Sequence, residues 1–106
     1  MKKIIVEPFN FPIFSFKDKE KCQKWVKLNY PNETKLIEDL DNVFGIFYQF
    51  PGPSSFLLFY NNNTTLDHEL IHATWYILNY AGVEIDFNNH EIQAYLFEHI
   101  KRLLTT

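Results

Sequence analysis

The chain has 106 residues, is 46% apolar and 18% aromatic, and carries a formal charge of −3; that is enough for one hydrophobic core and too little for two, so a single domain over 1–106 is expected. Lys and Arg are interspersed with Asp and Glu, so no basic surface is expected for nucleic acid or anionic lipid, and neither nucleic acid nor membrane is an expected partner. The single cysteine, Cys22, excludes an internal disulfide and a multi-thiolate zinc site; no apolar run reaches the roughly 20 residues of a membrane span, and Ile4-Ile5-Val6 stops at Glu7-Pro8, too short for a signal peptide, which points to a soluble protein in a reducing cytoplasm.

In chain order, Ile4 to Phe16 is rich in Ile, Val and Phe but broken by Pro8 and Pro12, each without an N–H, and reads as an irregular edge strand or two short ones. Asp18 to about Asn29 sets Cys22, Trp25, Val26 and Asn29 at helical spacing with lysines between them and Pro31 beyond, an amphipathic helix. Lys35 to Leu40 fits either a helical turn or a strand. Val43 to Phe50 and Phe56 to Tyr60 are short, aromatic and β-prone, and Pro51-Gly52-Pro53-Ser54-Ser55 between them suits an antiparallel hairpin.

A helix is expected from near Thr65, with Thr64 and Asp67 in its capping arrangement and Gly82 as terminator. A second is expected from Asn88 or Asn89 towards Leu104. The fold expected is α+β: a small, mostly antiparallel sheet from residues 1 to 60, one helix packed on it, then a helix pair.

The first of that pair contains His68-Glu69-Leu70-Ile71-His72. Residues four apart share a helix face, so both imidazoles can reach one zinc at roughly 2.0–2.1 Å. Glu69 lies about 100° round the helix, poorly placed to ligate but able to take a proton from zinc-bound water as that oxygen attacks a carbonyl. A catalytic zinc normally takes three protein ligands, and Glu91 is the candidate third. From His72 the helix rises about 13 Å to Ala81, and the seven residues from Gly82 to Asn88 can return about 23 Å, enough to bring Glu91 level with His72. Ala94 would then let the two helices approach closely.

His-Glu-x-x-His followed by 18 residues and Glu resembles the gluzincin signature of thermolysin-like and aminopeptidase N-like zinc peptidases. The stretch from about Thr64 to Glu98 also looks like small phage-encoded proteins with HE-x-x-HA and N-x-E-x-x-AYL segments. The resemblance implies a minimal zincin-like domain, zinc held by His68, His72 and Glu91, Glu69 as general base, hydrolysis of a peptide or protein substrate, and a bacterial cytoplasm if the chain is phage-encoded. It also implies that a sheet edge beside the metal helix binds substrate, with Phe56 to Tyr60 the expected edge. Thermolysin-like enzymes carry an acid four positions after the glutamate ligand, where this chain has Tyr95. Asp86 or Glu98 is then expected to orient a histidine, and Tyr95, His99 or a partner to polarise the carbonyl, with poor turnover as the alternative.

His90, about 100° from Glu91, reads as a surface residue, and His99 as a half-buried one. Trp75, Tyr76, Tyr80 and Phe97 read as core, and Cys22 as a small buried hydrophobe. The alternative function is a non-catalytic phage structural or host-interaction protein stabilised by zinc.

Overall fold

The computed structural model describes residues 1–51 and 55–106. Strands β1 (Lys2–Val6) and β2 (Phe11–Phe16) are followed by helices α1 (Lys19–Asn29) and α2 (Thr34–Leu40), strands β3 (Gly45–Gln49) and β4 (Phe56–Tyr60), helix α3 (Asn63–Tyr80), a 3-10 turn at Phe87–Asn89 and helix α4 (His90–Thr105). The α+β architecture is as expected. The N-terminal segment forms two strands, and the segment after Lys35 is helical. The proposed Pro51–Ser55 turn lies largely outside the described residues, but β3 and β4 pair antiparallel as a hairpin requires.

The strand order is β1-β2-β4-β3, with β2 and β4 parallel and the outer pairs antiparallel. Pro12 sits near the start of β2, before the pairing with β4 begins at Ile13 and Phe56, so its missing N–H interrupts no β2–β4 bond. Strand β4 is buried on both faces. Leu57 and Phe59 join Cys22, Val26, Leu36 and Leu40 on one side of the sheet, while Phe56, Leu58 and Tyr60 join Leu66, Leu70, Ile77, Ile100 and Leu104 on the other. Full burial of each such aliphatic side chain stabilises by about 1.5–3 kcal/mol, and the alternation of β4 makes it the centre of both cores. The sheet is thus covered on both faces, by α1 and α2 on one and α3 and α4 on the other, where one packed helix and a pair had been expected.

Local chemistry fixes the helix ends. The Asp18 carboxylate accepts from the Lys21 N–H at 3.1 Å and caps α1. For α3 the cap is Asn62, whose Oδ1 accepts from the Thr65 N–H at 2.9 Å, and not Thr64. An Asn two residues earlier reaches the free N–H groups first, so the helix begins at Asn63. Asn89 precedes α4 without a side-chain cap bond; the Asp86 carboxylate instead accepts from the Asn88 N–H at 2.9 Å and starts the 3-10 turn. Gly82, at φ +80°, takes the left-handed conformation that ends α3. Among the described residues no helix is long and apolar enough to cross a membrane.

Candidate metal centre

Helix α3 lies against the sheet through Leu66, Leu70, Ala73 and Ile77. That face turns His68 and His72 outward and leaves Glu69 beneath them, against β3. The two imidazole Nε2 atoms are 3.3 Å apart. Two nitrogens held about 2.0–2.1 Å from one tetrahedral zinc lie about 3.3–3.4 Å apart, so the pair already has the spacing of two ligands. The same separation suits an N–H···N hydrogen bond between neutral rings. What distinguishes the cluster is Glu69. Its Oε2 is 3.9 Å from His68 Nε2, and its side chain is only 10% exposed against 68% for His68. The donor atoms of His68, Glu69 and His72 all lie within 4.8 Å of one another. The three side chains could together hold a metal ion.

The other expected site residues are elsewhere. Helices α3 and α4 run antiparallel, with Trp75 Nε1 donating to Gln93 Oε1 at 3.1 Å and Lys101 Nζ 2.9 Å from Asp67 Oδ1. In that register the residue level with His72 is Leu96, and Glu91 lies about 7.5 Å farther along the axis. It is also about 200° round the helix from Gln93. Its side chain is 69% exposed, with Oε1 3.6 Å from His90 Nδ1, and among the described residues it does not join the histidine pair. The physical reason is the return path: the 3-10 turn at Phe87–Asn89 starts α4 before the chain has come back along α3. Tyr95, two residues past Gln93, is 67% exposed and does not line the cleft beside the histidines. Asp86 is engaged with Asn88, Glu98 is exposed, and His99 is half-buried. His90 is exposed, as expected of a surface residue, and its ring lies 5.0 Å from that of Phe87.

That cleft, of about 620 Å³, runs between α3 and the free edge of β3. Strand β3 contributes Gly45, Ile46 and Phe47, helix α3 contributes Glu69, His72, Trp75, Tyr76 and Asn79, and Ile85 closes one end. The edge beside the histidines is therefore β3; β4, expected in that role, is central and paired on both sides. Trp75, Tyr76 and Tyr80, expected in the core, are 46%, 39% and 61% exposed, and the first two form the cleft wall. Ala94 is exposed, and Gln93 and not Ala94 meets α3. The wall was readable in principle, because positions 72, 75, 76 and 79 continue one helix stripe from His68. Comparison with protein-family models, with curated proteins and with solved structures finds no significant match to this chain.

Proposed function

We propose that the chain is a minimal metallopeptidase of zincin type, in which His68 and His72 would hold zinc as a pair, one protein ligand short of the three that a catalytic zinc normally takes, and Glu69 is the general base. The observation that carries this reading is the pair of Nε2 atoms 3.3 Å apart beside Glu69, whose side chain is only 10% exposed. Bound zinc would supply Lewis acidity, polarising the scissile carbonyl and acidifying water. Glu69 takes the proton of the attacking water and can return it to the leaving amine. An extended peptide would add to the outer edge of β3, whose N–H and C=O groups on that side have no strand partner among the described residues. Phe47, Trp75, Tyr76 and Ile85 along the cleft favour a large apolar side chain next to the scissile bond. A peptide and not a nucleic acid is the partner proposed, and the lone buried thiol suits a reducing cytoplasm.

The test is hydrolysis of a diverse peptide library by zinc-loaded wild type and Glu69→Gln. Wild type should show cleavage that a chelator abolishes, and Glu69→Gln should keep zinc and lose rate by about 10²–10⁴-fold. Equal inertness of both, with zinc bound, would overturn the enzymatic reading; equal cleavage would remove Glu69 as the base.

A further inference from the structure

Gly45 opens strand β3 and faces Thr65 and Glu69 of α3. Its backbone is not in the left-handed region that glycine alone adopts easily, and glycine in a strand costs conformational entropy and β-propensity. The reason for it lies across the gap. A Cβ built at Gly45 would fall 2.2 Å from Thr65 Cγ2, 3.1 Å from the Phe59 carbonyl oxygen and 3.2 Å from Glu69 Cγ. Thr65 cannot readily swing aside: its Oγ1 is 2.7 Å from Asn61 Oδ1 and 2.9 Å from Asn62 Oδ1, and a β-branched side chain on a helix has few rotamers. Any side chain at position 45 therefore pushes α3 and β3 apart by on the order of an ångström, at the turn that carries Glu69.

We infer that Gly45 is a positioning residue that sets the gap between the helix bearing His68, Glu69 and His72 and the strand edge that binds the peptide. The inference rests on the metallopeptidase reading above. Its consequence is selective. Both histidines move with α3, so widening the gap leaves their mutual spacing, and hence metal binding, intact. What changes is the distance from Glu69 and the metal to a peptide held on β3. A misplacement of about 1 Å costs on the order of 10²-fold in rate.

The experiment compares wild type, Gly45→Ala, Thr65→Ser and the double variant, each zinc-loaded and held at a temperature where all are folded by circular dichroism. The substrate is the best-cleaved peptide from a wild-type library screen. Zinc affinity is read by competition with a chromophoric chelator. Gly45→Ala should bind zinc within about twofold of wild type while losing about 10²-fold in kcat/KM, mostly in kcat. Thr65→Ser keeps the hydroxyl and deletes the methyl that meets the new Cβ, so it should be near wild type alone and should restore the double variant to within about tenfold. Full kcat/KM in folded Gly45→Ala, loss of zinc in step with rate, or a double variant that regains its melting temperature without its turnover would each overturn the inference. An inert wild type overturns the peptidase reading and this inference with it; an active wild type indifferent to Gly45→Ala removes only the spacing role.

Discussion

Adding zinc to metal-free protein is expected to raise its melting temperature through His68 and His72 alone. With free zinc a hundredfold above Kd, binding to the folded state only contributes about 2.7 kcal/mol. At about 2.1 cal/mol/K of unfolding entropy per residue, the 106 residues give roughly 0.22 kcal/mol/K, and the rise is about 12 °C. His72→Ala removes one of the nitrogens 3.3 Å apart and should abolish the rise. Glu91→Gln should keep all of it, because Glu91 sits about 7.5 Å down the axis from the level of His72 and faces solvent. Differential scanning calorimetry of the three proteins across a zinc titration reads this directly. If Glu91→Gln abolishes the rise as completely as His72→Ala, Glu91 is a ligand. Helix α4 would then have to slide along α3 by more than a turn, and the Trp75–Gln93 register would be refuted.

Asn62→Ala should cost about 0.5–2 kcal/mol in urea unfolding through loss of the α3 cap, and Thr64→Ala should cost less; the reverse order would restore Thr64 as the cap. Alkaline pH should destabilise the fold. Burial pushes the Cys22 thiol from 9.0 up to about 12, and the hydrogen bond to Glu33, with burial, pushes the Tyr48 hydroxyl from 10.0 up to about 12. The unfolded chain ionises both first, so this stability is complete below about pH 9 and falls as pH climbs towards 12. A urea midpoint unchanged between pH 8 and pH 10.5 would count against both, and Tyr48→Phe should flatten the part of the fall above pH 10.

The elements legible in the sequence were those whose signal is local. Asp18 before α1, Gly82 after α3 and the aromatic, β-prone runs of β3 and β4 each carry their physics within a few residues. The convergence of His68 and His72 was legible for the same reason, since helical geometry alone brings residues four apart together. The reading of Glu91 needed the relative travel of two helices, and chain reach sets only an upper bound on that travel. The 3-10 turn at Phe87–Asn89 used little of it. The identity of the sheet edge depended on β2 entering between β1 and β4, a parallel pairing that no short-range pattern announces. Gly45 stood in the sequence as an anomaly in an aromatic strand, but what it avoids, the Thr65 methyl, lies on another element.

Every residue lining the cleft comes from the stretch between Gly45 and Ile85, a hairpin running straight into a helix. Those contacts are short in sequence, whereas the parallel register that joins Ile13 to Phe56 and Phe16 to Phe59 spans the whole of α1, α2 and β3. Loop-closure entropy makes such distant pairings slow to form. The cleft therefore closes shorter loops than the β2–β4 pairing does, while the core beneath it, which joins Leu66, Leu70 and Ile77 to Ile4, Val6, Ile13 and Ile100, draws on both ends of the chain.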